Sequence, residues 1–287
     1  MPRLKEAQIG GLFLAACRAE LAALKPGNVH VHAGGHGMEV AQFEMSAEAA
    51  APWVAARGEK VGMRVLRAVE ASFAAAGCNT NLGILLLCAP LAAAAEMTLE
   101  AGLRDRLRAV LASLDATDAA DAYAAIRRAR PGGLGAAPEQ DIAVPPTIGL
   151  IEAMKLAADR DRIAFNYSTG FADIFEFGLP ELRRARAEAH DDQLAITTLD
   201  MAYLAQFPDS HIVRKHGEFV ANEVRREAQA LSPFWRPVAQ RNTLPKLRDF
   251  DADLKRRSVN PGTTADLVVA TIFAASICDA LGPATAP

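Results

Sequence analysis

Glu20 is the first residue of this chain whose type and position call for an explanation. Phe13, Cys17, Glu20 and Leu24 fall at i, i+4, i+7 and i+11, so the carboxylate lies on the apolar stripe of a helix over about Glu6–Leu24. An acid there is expensive to bury unless it is paired, hydrogen-bonded or bound to a cation. That makes Glu20 a candidate base or cation ligand; the alternative is an exposed helix end where it reaches water. Glu70 stands at the edge of a second stripe, Val61, Val65, Val69 and Phe73. It either points toward the same place or is an ordinary surface charge. Asn79, Thr80 and Asn81 precede an uncharged run, Leu82–Ala95, and read as N-cap chemistry. A buried helix start lined by amides is an anion pocket, above all for phosphate; the plainer reading is a cap that satisfies only its own backbone.

Other polar groups gather in breaks between helices. Lys25, Pro26, Gly27 and Asn28 stop the first helix, and a Gly-rich loop with His30, His32 and His36 follows. These histidine spacings admit a transition metal, but the loop has no thiolate and its only nearby carboxylate is Glu39. A mobile loop facing substrate suits it better. Arg214 and Lys215, one turn beyond Pro208 and Asp209, are adjacent cations able to bind phosphate or simply to be solvated. Asn260, Gly262, Thr263, Thr264 and Asp266 precede a long apolar helix, Leu267–Leu281, and Thr263 and Asp266 have capping-box spacing. The irregular tract from Pro131 to Pro146 is the best candidate for a lid.

The elements that must position these groups all read with helical periodicity, and no segment alternates like a strand. The expected fold is an all-α, single-domain bundle over 1–287 around a buried central helix at about 82–96. That helix is apolar on every face, yet 14 residues long, against about 20 for a membrane span. Further helices are expected at Ser46–Arg57, Lys60–Ala76, Leu99–Leu114, Thr117–Arg130 with Thr117 as cap, Thr147–Asp159, Asp161–Phe177, Pro180–Ala189, Asp191–Phe207 and His211–Leu231. With 51% hydrophobic residues the chain can bury a substantial core, and a net charge of −3 without a basic run argues against nucleic acid. No signal peptide or stretch long enough to span a bilayer is evident, so neither membrane nor export is expected. The four cysteines lack CxxC spacing and suit reduced, buried thiols in a cytoplasmic protein.

Bundles that gather Gly- and Asn-bearing breaks at one end make deep, amide-rimmed pockets, here fitted to a phosphate-bearing ligand, with buried carboxylates to hold Mg²⁺. At these breaks the chain resembles a known family. Glu20…Lys25-Pro26-Gly27, the Gly-His loop with Met38 and Phe43-x-x-Ser46, Glu70, Asn79-Thr80-x-x-Gly83, Pro208-Asp209 and Pro261-Gly262-x-x-Ala265-Asp266-Leu267 recur in that order. This is similar to the triphosphoribosyl-dephospho-CoA synthases, over about residues 9 to 275.

The resemblance implies an all-α transferase that joins the triphosphoribosyl group of ATP to a ribose hydroxyl of 3′-dephospho-CoA and releases adenine. It implies Glu20 or Glu70 as the catalytic carboxylate and Mg²⁺ ligand. Lys25, Gly27, Asn28, His36, Asn79, Thr80, Asn81, Gly83, Asp209, Arg214, Lys215, Asn260, Gly262, Thr263, Thr264 and Asp266 would bind substrate or phosphate.

The chain also departs from the pattern. Asn79-Thr80-Asn81-Leu82-Gly83 stands where those synthases have Asn-Thr-His-Lys-Gly, which removes two titratable groups from the central helix start. Gly35-His36-Gly37-Met38 lacks the Asp before Met, and Asn28-Val29-His30 replaces Leu-Val-Asp. The pattern looks closest to a branch of the family found beside genes of tetrahydromethanopterin- and methanofuran-linked one-carbon metabolism. A transferase acting on a one-carbon cofactor precursor is therefore the alternative, and a non-catalytic nucleotide- or phosphate-binding protein a further one. A homodimer is the assembly expected should apolar helix faces stay exposed.

Overall fold

The computed structural model describes residues 3–137 and 139–282, and among these the chain is helical with no β-strand. In order come α1 (Glu6–Ala22), α2 (Val40–Val54), α3 (Val61–Ala76), α4 (Leu82–Ala95) and α5 (Leu103–Ser113). Then follow α6 (Ala116–Ala129), α7 (Leu150–Ala157), α8 (Arg162–Thr169), α9 (Leu179–Glu188) and α10 (Asp192–Gln206). The last are α11 (Ser210–His216), α12 (Glu218–Ala230), α13 (Ser232–Trp235), α14 (Leu244–Arg256) and α15 (Gly262–Leu281). The expected all-α fold is what is found.

Helix α4 is the axis of the fold, with every one of its residues buried. It packs against α15, α5 and α3, and α15 in turn packs against α1 and α10. Leu85, Leu87 and Leu91 meet Val268, Phe273 and Ile277 in the main core. A second core lies on the other face of α10, where Met201 and Leu204 join Val224, Trp235, Leu247 and Phe250. Two buried arginines close carbonyl ends near the axis: Arg64 donates to Val54 O, Glu59 O and Glu96, and Arg106 to Met97 O and Ala101 O. Each uses its guanidinium to satisfy carbonyls at the end of α2 and in the connections that follow α2 and α4.

Several expected boundaries shift for physical reasons. α2 begins at Val40, six residues early, because Glu39 and Gln42 form a capping box there. The cap of α6 is Asp115, which accepts from the amides of Thr117 and Asp118. The helix expected over 161–177 breaks after Thr169, where Gly170 and Phe171 turn to positive φ, and a π-helical turn at Asp173–Gly178 follows. The helix expected over 211–231 is two, separated by Gly217 at φ 86°. α15 starts at Gly262, so Thr263 and Asp266 lie inside its first turn and form no capping box. With this start α15 is 20 residues long and apolar enough to cross a membrane by length and composition, contrary to expectation. It is instead 78% buried within the protein, as a core helix is.

Candidate active site

The two buried helices α4 and α15 both begin at one cavity of about 590 Å³. At the start of α4 the side chain of Asn79, not Asn81, accepts the Leu82 amide (3.2 Å). Asn81 turns its Nδ2 to Ser72 Oγ (3.1 Å), and the Thr80 hydroxyl donates to Ser46 Oγ (2.6 Å). The polar triplet is thereby tied to α2 and α3 while its residues still face the cavity. At the start of α15, Asp209 takes the Thr264 amide (2.7 Å) and hydroxyl (2.9 Å) with one oxygen and the Ile212 amide with the other. Ser210 Oγ donates to Thr263 Oγ1 (3.0 Å), so α11 and α15 are pinned end to end.

Two glycines set how closely these ends approach. A Cβ on Gly83 would overlap Asp266 Oδ2 and lie 2.7 Å from Ile163 Cδ1; one on Gly262 would lie 2.5 Å from His211 Nδ1. A side chain at either position would drive the helices apart or displace the facing group.

The electrostatics divide the carboxylates. Glu20 lines the cavity from α1 and forms a buried ion pair with Lys25. Burial raises its pKa and the Lys25 charge opposes the rise. Asp161 caps α8 through the Ile163 and Ala164 amides and receives Arg214 (3.4 Å). Asp266 lines the cavity and accepts no hydrogen bond or ion pair among the described residues. Burial, with the negative charges of Asp209, Glu20 and Asp161, pushes it well above the carboxylate range; Arg214 opposes. His211 is pushed down to about 3 by burial and by the charges of Arg214 and Lys215, so it is neutral. Its Nε2 is buried without a partner among the described residues.

The remaining walls come from the loop after α6 and from α7. Pro131–Gly135 and Gln140–Ile142 run along the cavity, opposite Leu150, Ala153 and Met154. The loop is anchored by Tyr123 Oη to Gln140 O (2.7 Å), Arg127 to Ile142 O (2.6 Å) and Arg214 Nε to Gly132 O (3.1 Å). The tract expected to be a lid thus forms one side of the chamber. Arg130 and Arg160 line it as well, both exposed.

Most of the expected residues converge here. Glu20, Asn28 and His36 do, with Asn79, Thr80, Asn81 and Gly83 from the α4 end. Arg214 and Lys215 arrive from α11, and Asn260, Gly262, Thr263 and Asp266 from the α15 end. Four stand behind the wall. Lys25 neutralises Glu20, while Asp209 and Thr264 bond to each other. Gly27 gives its amide to Asp251 (2.9 Å) and its carbonyl to His36 Nε2 (2.8 Å). Glu70 is a correction: it lies outside the cavity, 3.1 Å from Arg67, on the half-exposed side of α3.

The histidine loop divides in two: Asn28, His36 and Met38 line the cavity, while its His30 end is tied down. His30 is buried against Asp251 (3.2 Å), and Lys255 bonds to Asp251 and the Ala33 carbonyl. Burial works against the Asp251 charge, but His30, the Gly27 amide and Lys255 hold it below the usual range. The His30–Ala33 part of the loop is a strut fixed to α14.

Among the described residues no group of three or more His, Cys, Asp or Glu could hold a metal ion. With Glu70 elsewhere and Glu20 bound to Lys25, the two carboxylates expected to hold Mg²⁺ do not meet among the described residues. Asp161 and His211, each expected only as a helix start, are further residues of the cavity, and nothing short of their packing distinguishes them.

The architecture is thus that of an all-α protein with an amide-rimmed chamber at the joint of its two core helices. The family whose sequence model matches, over residues 6–284, is ATP:dephospho-CoA triphosphoribosyl transferase (CitG), and the chain belongs to it. Among curated relatives, the 2-(5''-triphosphoribosyl)-3'-dephosphocoenzyme-A synthase of Klebsiella pneumoniae is 32% identical over 106 residues, 37% of this chain and 34% of that protein. The synthase of the same name from Escherichia fergusonii is 30% identical over 106 residues, 37% and 34% of the two chains. The chain thus spans about a third of the length of the curated relatives it matches. A crystal structure from Archaeoglobus fulgidus that carries the triphosphoribosyl-dephospho-CoA synthase name superposes with a TM-score of 0.63 at 25% identity, covering 80% of this chain and 96% of that one.

Proposed function

We propose that the chain is an ATP-dependent transferase that moves the triphosphoribosyl group of ATP onto a ribose hydroxyl of 3′-dephospho-CoA and releases adenine. The observation that carries this reading is the meeting of the α4 and α15 N-termini in a chamber that also holds Arg214, Lys215 and a buried carboxylate, Glu20. Helix starts and cations suit a triphosphate. The chamber's apolar α7 wall suits a base or a carbon arm. Glu20, held by Lys25, is a fixed negative group able to stabilise the positive charge that grows on the ribose as the C1′–N9 bond lengthens. Mg²⁺ belongs to this scheme as a companion of the ATP phosphates, its usual mode of binding.

A second reading keeps the donor and changes the acceptor to a precursor of a one-carbon cofactor. The start of α4 favours it: Leu82 faces the chamber where the family pattern has Lys, and Asn81 is committed to Ser72.

A mass-resolved assay of the purified protein with ATP, Mg²⁺ and 3′-dephospho-CoA separates the two. Free adenine with a triphosphoribosyl adduct is expected from the first reading. Mg²⁺-dependent ATP binding without adenine turns the search to one-carbon precursors, and no binding of ATP at all sinks both.

A further inference from the structure

We propose that Asp266 is the general acid of this site, protonating the purine as it leaves the ribose. The inference rests on the transfer reading above and deepens it.

Its basis is geometric. Asp266 sits on the first turn of α15, its carboxyl lodged against the Gly83 backbone of α4 in a space that a single added carbon would fill. It faces the chamber beside Ile163 and Ala164. The other carboxylates there are occupied or peripheral. Glu20 has Lys25, Asp161 has two amides and Arg214, Asp141 takes the Ala137 and Ala143 amides, and Glu139 is exposed at the rim. Asp266, facing the chamber, accepts no hydrogen bond and forms no ion pair among the described residues, and Arg214 acts on it only at longer range.

Every element around Asp266 bears on its protonation. Glu20 from α1, Asp161 ahead of α8 and Asp209 ahead of α11 disfavour a charge, as does burial. Arg214 favours one, the Cys88 thiol on α4 is itself held protonated by burial, and His211 is neutral. The α15 amides would favour the carboxylate, but the Thr264 amide is given to Asp209. A bound triphosphate adds negative charge and holds the proton more firmly. A neutral acid beside the leaving group is what glycosidic cleavage of a purine requires.

The step balances. The C1′–N9 bond breaks with its electron pair going to the purine, and the Asp266 proton passes to a ring nitrogen of that base. The acceptor hydroxyl oxygen bonds to C1′, its proton goes to water, and Asp266 regains a proton from solvent.

The test compares wild type with Asp266→Asn, nearly equal in size, on two donors: ATP, and ATP methylated at N7, whose base leaves without needing a proton. With ATP, kcat is expected to fall about 10²–10⁴-fold at nearly unchanged KM. The limb of the wild-type pH profile on which kcat falls as Asp266 ionises should vanish in the variant. With the methylated donor the variant should turn over like wild type. Equal losses on both donors, or no loss on ATP, overturn the assignment. If wild type releases no adenine from ATP, the transfer reading has failed, an outcome visible before any variant is made.

Stability gives a separate readout. Because folding raises the Asp266 pKa, the folded state holds a proton that the unfolded state gives up, and wild type loses stability as pH rises from the unfolded value toward the folded one. Asp266→Asn should lack that loss. Its Tm should gain on wild type over the same window, and a parallel pair of curves overturns the protonated state.

Discussion

At the scale of single residues, the site rests on one ion pair and one solitary acid. Lys25 is 1% exposed and its charge is spent on Glu20. Replacing Lys25 by Met would leave a buried carboxylate unpartnered, at a cost of about 3–5 kcal/mol. Urea unfolding measures it, and a loss below about 1 kcal/mol, the range of exposed pairs, would mean that chamber water solvates Glu20. Glu20 was legible in the sequence because an acid on an apolar stripe has few fates. Glu70 was not, because a residue at a stripe's edge can rotate either way, and Arg67 one turn earlier draws it outward. Asp266 was legible as a site residue through the family resemblance, but it is not a cap: α15 starts five residues earlier than expected, which places Asp266 inside the first turn and against the cavity. His211 needed the third dimension, since only its packing on Gly262 shows that its ring is turned into the protein.

At the scale of elements, close helix contacts carry the geometry. Gly62 on α3 faces Asp118 on α6 so tightly that an added Cβ would lie 2.5 Å from the Asp118 carbonyl oxygen, and its amide donates to the Asp118 carboxylate (2.8 Å). Gly62→Ala must push backbone against backbone, and a loss of about 1–3 kcal/mol is expected in thermal unfolding. An unchanged Tm would show that α3 and α6 slide apart freely. The sequence announced α4 completely, because uniform apolarity over 14 residues admits only a buried helix. It hid α14, whose Leu247, Phe250 and Leu254 keep helical spacing among seven charged residues and behind Pro245, itself a first-turn signal. The breaks at Gly170–Phe171 and Gly217 were unreadable from periodicity, because apolar spacing continues across a left-handed residue without a change of phase.

At the scale of the whole molecule, the chamber runs from an exposed rim inward to the end of the core. The 14-residue α4 and the 20-residue α15 both start at it and both run through the main core. An anion held at those starts supplies partners to first-turn amides that helix geometry leaves without any. ATP with Mg²⁺ should therefore slow hydrogen exchange along α4 and α15, and leave α9, which presents no residue to the chamber, nearly unchanged. Protection confined to the 131–142 loop would place the nucleotide at the rim instead. A ligand bound at both helix starts raises the free energy of opening the two axial helices by RT ln(1 + [L]/Kd), and with it their resistance to proteases. On the proposed reading, the lifetime of the polypeptide rises with the supply of nucleotide.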